Sequence, residues 1–93
     1  MRIEFGRGAP QYRGWNMTVG FPARVDGVPV DCSISVEALE DHFGAASIAQ
    51  ADTLGAFLLH RKAIERVARR MLRATSTRQL LLHSGHFRYD AQS

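Results

Sequence analysis

Asp26-Gly27 sits between two runs of alternating apolar residues, and it constrains the chain more than any other dipeptide in it. A two-residue hairpin turn needs φ > 0 at both central positions, which aspartate and glycine tolerate. Folding the chain back on this turn pairs Val25 with Val28, Ala23 with Val30, Phe21 with Cys32 and Val19 with Ile34. Every one of these pairs is apolar and on the same face, because side chains alternate along a strand. The other face carries Thr18, Gly20, Pro22, Arg24, Pro29, Asp31 and Ser33. A slip by one residue would turn the whole apolar set outward, so burial pins the register. Pro22 and Pro29 fall at non-hydrogen-bonded pairs of this hairpin and weaken only the pairing to outer neighbours.

Gln50 to Ala74 is the second organising stretch. Leu54, Phe57, Ile64, Ala68, Met71 and Leu72 recur at three- and four-residue spacing, which predicts one long amphipathic helix laid across the sheet. At about 100° per residue, Lys62, Arg66, Arg69, Arg70 and Arg73 gather on the opposite side. Arg61 falls near the middle of the apolar side, with Glu65 one turn on. A guanidinium there must be paired or must reach water. Glu65 at i+4 offers a helix–sheet ion pair, and Glu40 or Asp41 on the preceding helix offers another. An anion pocket at the helix–sheet seam is the functional alternative.

The remaining elements follow from local signals. Arg2–Phe5 reads as a first strand, broken by the loop Gly6 to Pro10, whose Gly-x-Gly lacks the third glycine of a phosphate-binding turn. Ser35 is a good N-cap for a short helix over Val36–Phe43, with Glu37 in its first turn and Gly44 closing it. Ala45–Ala49 is a linker, and Ser47 or Asp52 is the expected cap of the long helix. Thr75-Ser76-Thr77 stops that helix, Gln79–His83 forms a last strand, and Ser84-Gly85 turns it. Phe87 and Tyr89 are expected to add a few extended residues before a frayed end. The result is an α+β single domain over residues 1–93. Its order is β-β-β-α-α-β, with a small, mostly antiparallel sheet covered by a short helix and one long amphipathic helix.

Taken together, Phe21-Pro22-Ala23, Val25-Asp26-Gly27, Cys32-Ser33-Ile34-Ser35 and Glu37-Ala38-Leu39 with Phe43 form an ordered series. It continues through Phe57, His60-Arg61, Ile64-Glu65 and Ala68. The series resembles the small bacterial domain-of-unknown-function family numbered 1488, over most of the chain from Phe5 to Phe87. The resemblance implies a compact α+β fold with a mostly antiparallel sheet packed against helices. It implies no activity and no functional residue. The Ser84-Gly85-His86 ending and the arginine-dense helix are outside what it implies.

Chemistry is sparse. Apolar content of 45% and charged content of 23% are those of an ordinary globular chain. No apolar run approaches the ~20 residues of a membrane span, and MRIEFGRGAP carries no signal-peptide apolar region, so a cytoplasmic address is expected. Cys32, the single cysteine, lies on the buried hairpin face and reads as an inert core thiol rather than a nucleophile. His83 and His86, with Asp90 downstream, make an incomplete zinc set, and no metal or cofactor is expected. His42 and His60 have no nucleophile beside them, so no enzyme is expected.

Charge is the remaining signal. The net charge is +3, but Glu37 to Asp52 holds four acids and no Lys or Arg, while Arg61 to Arg73 holds six bases against Glu65 alone. Bases near a helix C-terminus are favoured by the dipole, and acidic and basic elements can simply pair within a fold. Beyond that, two functions are open. One is a non-enzymatic interaction module whose partner is an acidic protein surface or a second copy of the chain. The other is a sequence-tolerant nucleic-acid binder, in which arginine forks on the basic helix face track phosphates. Base-stacking aromatics are few, with Tyr12, Trp15 and Tyr89 in loop or terminal positions.

Overall fold

A computed structural model describes residues 1–88. Asp26 and Gly27 have φ of 51° and 83°, and the hairpin they close pairs β3 (Thr18–Val25) with β4 (Val28–Ser35) from Val25↔Val28 to Thr18↔Ser35. This is the register that the apolar alternation requires. Val19, Phe21, Cys32 and Ile34 are buried on its inner face.

Two short strands lie end to end along the outer edge of β3. β1 (Ile3–Phe5) pairs antiparallel with Val25 to Ala23, and β2 (Gln11–Arg13) pairs antiparallel with Gly20 to Thr18. The gap between them falls at Pro22, which has no N–H to offer a neighbour. Only its carbonyl is used there, accepting from the Gly6 N–H at 3.4 Å. The sequence places Tyr12 in a loop; it lies instead in β2, because beyond Pro22 the edge of β3 is free to pair again.

β4 leads through Ser35 into α1 (Val36–Phe43), where the Ser35 Oγ accepts from the Ala38 N–H at 3.0 Å. Gly44 ends α1 at φ 75°. The chain then crosses over through helices to β5 (Gln79–Leu82), which pairs with β4 in parallel, Asp31↔Gln79 to Ile34↔Leu82. A parallel neighbour demands such a crossover, so the sheet is mixed, in the order β1-β3-β4-β5 with β2 beside β3. Pro29 sits outside the β4 residues that pair with β5.

The predicted single long helix is two helices, α2 (Gln50–Leu59) and α3 (Arg61–Ala74), meeting at His60 with φ −111° and ψ 20°. No Gly or Pro stands at the junction. The break lets α2 lie over β2 and β3 while α3 lies over β1 and β5. Neither Ser47 nor Asp52 is the N-cap of α2. Ala49 holds that position, and Ser47 instead accepts from the Ala49 N–H at 3.1 Å and donates to Asp52 at 2.6 Å.

After β5 the chain forms a short helix, α4 (Ser84–Phe87), in place of the expected turn and extended residues. The expectations for Tyr89 and Asp90 lie outside the described residues. Phe57, Ile64, Val67, Ala68 and Leu72 cover the inner sheet face, with the Phe57 and Phe21 ring centroids 5.2 Å apart. Phe87 closes one end against Phe43 at 5.1 Å. No helix among the described residues is long and apolar enough to cross a membrane.

Candidate functional site

α3 carries two kinds of arginine. Arg61 and Arg69, two turns apart, reach inward to the backbone of β1 and the loop after it. Arg61 donates from Nε to Glu65 at 3.1 Å, from one terminal nitrogen to the Gly8 carbonyl at 3.0 Å and from the other to the Gly6 carbonyl at 2.8 Å. Its guanidinium lies 5.5 Å from the centroid of the Phe57 ring. Arg69 donates to the Ile3 carbonyl at 3.0 Å and lies 5.3 Å from the centroid of Phe5. Both therefore fasten the helix to the sheet edge, at carbonyls that β1 and its loop would otherwise leave to water. Glu40 and Asp41 take no part; Asp41 accepts from the Ser84 hydroxyl at 2.7 Å.

Lys62, Arg66, Arg70 and Arg73 are exposed along α3, a row about 16 Å long at the rise of an α-helix. Arg66 and Arg70 also make interactions of their own.

Sequence periodicity understates what stands at the head of this row. Leu58 and Leu59, the last residues of α2, are 55% and 79% exposed. They border an open cleft of about 610 Å³ whose other walls are Phe5, Gly6, Arg7, His60, Arg61, Lys62, Ala63 and Glu65. The signal for them was in the sequence. At about 100° per residue, Leu58 and Leu59 stand just over a quarter and more than half of a turn away from Phe57, off the apolar stripe.

The other candidates fall elsewhere. Tyr12 is half-buried on the inner side and donates its hydroxyl to the Ile48 carbonyl at 3.1 Å. Arg13 lies across Gly20 on the outer sheet face, where a Cβ on Gly20 would come within 2.5 Å of its guanidinium. It forks onto Asp31 at 3.0 and 2.8 Å. Trp15 is 82% exposed in the turn between β2 and β3, and lines the outer face with Arg13, Ser33 and Leu81. Trp15 and the basic row of α3 thus belong to different sides of the sheet, while Tyr12 lies on the helix side with its hydroxyl engaged.

Cys32 is fully buried, and burial, reinforced by the negative charge of Asp31, pushes its thiol up to about 12. The His83 and His86 rings lie with centroids 4.2 Å apart, tilted by 40°, but no group of three or more metal-ligating side chains gathers among the described residues. The His86 Nδ1 accepts from the His83 N–H at 3.0 Å, which ties down the first turn of α4. Burial lowers the His86 pKa from its ordinary 6.5; the charges of His83 and Arg70 push it the same way, and a hydrogen bond to the His83 backbone offsets part of this.

A ring nitrogen that accepts must be unprotonated. Because the folded pKa is lowered, this contribution to stability is complete above about pH 6.5 and lost as the pH falls through the folded value. Thermal melts from about pH 8 to about pH 5 should show a falling limb that His86→Asn flattens, since its amide oxygen keeps an acceptor. An acid limb unchanged by that substitution would assign the loss to another group.

A family model described as Protein of unknown function (DUF1488) matches residues 3–82. No curated protein matches the chain. A solved structure of a protein of unknown function from the DUF1488 family of Shewanella loihica PV-4 is similar, with a TM-score of 0.73 at 23% identity, covering 88% of this chain and 94% of that one. At that identity the likeness speaks for the fold alone. The resemblance read from the hairpin and helix residues is thereby met, in family and in fold class.

Proposed function

The chain belongs to the DUF1488 family of proteins of unknown function, so its role has to be read from its own surface, and we propose that it is a non-enzymatic interaction module for an acidic protein partner. The observation that carries this reading is the exposed pair Leu58 and Leu59 at the head of the basic row Lys62, Arg66, Arg70 and Arg73. Exposed leucines beside cations suit a partner that brings both apolar and acidic side chains. A phosphate backbone would use the cations and leave the leucines in water; of the aromatics that could stack on bases, Trp15 lies across the sheet and Tyr12 is half-buried with its hydroxyl engaged. A second copy docking the same patch symmetrically would set basic row against basic row. In this reading the module works in the bacterial cytoplasm, where its single thiol stays reduced.

The test is affinity capture by the folded chain from its source cell's lysate, in nuclease-treated and untreated halves, with the captured protein then purified and titrated directly. The expected result is an acidic protein that survives nuclease, binds the chain on its own and is lost with the Arg66→Glu/Arg73→Glu variant. Nucleic acid, retained only without nuclease and released with a salt slope near −0.9 per phosphate contacted, would replace this reading with backbone binding. A capture without any specific partner would reject it.

A further inference from the structure

The edge of the sheet beside the cleft is already engaged at three carbonyls. Strand addition needs free backbone groups along an edge, and a docking peptide would find them here on β1 and the loop that follows it. The carbonyls of Ile3, Gly6 and Gly8 are instead taken by Arg69 and Arg61 from α3. A partner segment at this place therefore meets an edge crossed by two arginine side chains, which favours binding through its own side chains, as an amphipathic helix in a groove does with its backbone bonds satisfied.

The cleft offers matching chemistry. Its lining is apolar at Phe5, Leu58, Leu59 and Ala63. In the same lining, Arg7 and Lys62 are exposed and their side chains make no hydrogen bond or ion pair among the described residues. Glu65 is the one acid in the lining among the described residues, and its carboxylate is engaged by Arg61. An approaching carboxylate thus meets two unengaged cations, while the lining's own acid is already paired.

We propose that the cleft at the α2–α3 break receives an acidic amphipathic helix of the partner, its apolar side chains on Leu58 and Leu59 and its carboxylates on Arg7 and Lys62. This rests on the interaction-module reading and names the element that the module recognises.

The probe is a phage-displayed library of random peptides of about 16 residues, long enough for several helical turns, panned on the folded full-length chain. Enriched peptides should carry Leu, Ile or Phe at i, i+3/i+4 and i+7, with Asp or Glu flanking them. Resynthesised, they should gain helical circular dichroism on binding and shift the backbone amides of Phe5 to Arg7 and Leu58 to Ala63. Leu58→Ser/Leu59→Ser should weaken binding at least about tenfold, since both leucines lose apolar burial. Lys62→Glu should weaken it and change its salt dependence, while Arg24→Glu on the outer sheet face should leave both unchanged. All three variants replace exposed side chains, so their thermal midpoints should stay near that of the parent chain.

Peptides without acids, peptides bound in extended form, or amide shifts confined to the outer sheet face would overturn the proposal. So would sedimentation showing a dimer that the leucine variant dissociates. If no peptide is enriched while an acidic protein is still captured through α3, this inference fails and the module reading stands. If helical acidic peptides bind at the cleft but the lysate yields only nucleic acid, the module reading fails instead.

Discussion

Phe57→Ala is expected to cost about 3–5 kcal/mol, a large share of the ~5–15 kcal/mol by which a domain of this kind is folded. Phe57 is fully buried and joins three parts of the structure at once. Its ring packs on Phe21 of β3 at 5.2 Å, it is carried by α2, and the Arg61 guanidinium of α3 lies 5.5 Å from its centroid. Removing it opens a cavity under the helix break that the sheet beneath cannot close, because Phe21 is held by pairing with Cys32. It also leaves Arg61 without the ring beneath it. Leu58→Ala, one residue on, removes a side chain that is mostly in water and should change stability by no more than about 0.5 kcal/mol. Urea titrations of the two variants should therefore separate widely in midpoint with a shared slope. Equal shifts would mean that Leu58 is buried in solution by something that covers the cleft, and a loss under about 1 kcal/mol at Phe57 would mean that the core collapses around the vacancy.

The contrast between these neighbours bears on how much of the molecule could be read from its sequence. Elements set by adjacent residues were legible: the Asp26-Gly27 turn with its register, and the Ser35 and Gly44 caps of α1. The break at His60 was not, because the apolar period runs through it in phase from Phe57 to Ile64 and no Gly or Pro interrupts it. It follows from where two different parts of the sheet lie, one under α2 and the other under α3. β2 escaped for a similar reason. Gln11-Tyr12-Arg13 is too short to alternate visibly, and its partner is defined by the missing N–H of Pro22 farther along the chain. At the candidate site, the exposure of Leu58 and Leu59 follows from helical phase and could have been read. The carbonyls that draw Arg61 and Arg69 inward lie more than 50 residues away in sequence, which no local pattern encodes.

Cys32 is expected to stay unmodified by thiol reagents for as long as the chain is folded. Its side chain is fully buried in the sheet between Phe21 of β3 and Leu80 of β5, so a reagent has no path to it. The thiolate that would react is also scarce. Burial first, and the charge of Asp31 second, raise the thiol from 9.0 to about 12, and about three units leave about a thousandfold less thiolate at a given pH. Because the folded pKa lies above the unfolded one, the folded state holds this proton more tightly. The resulting contribution to stability is complete below about pH 9 and is lost as the pH rises toward 12. Labelling should therefore wait for opening of the sheet, and the labelling rate should rise with urea in step with global unfolding. Phe57→Ala, which lowers that barrier from above, should speed labelling of native samples by the same free energy that it removes from the urea midpoint. Fast labelling of the parent chain without denaturant would mean that β3 and β4 part locally, and would place the weakest point of the fold at the hairpin rather than at the helix break.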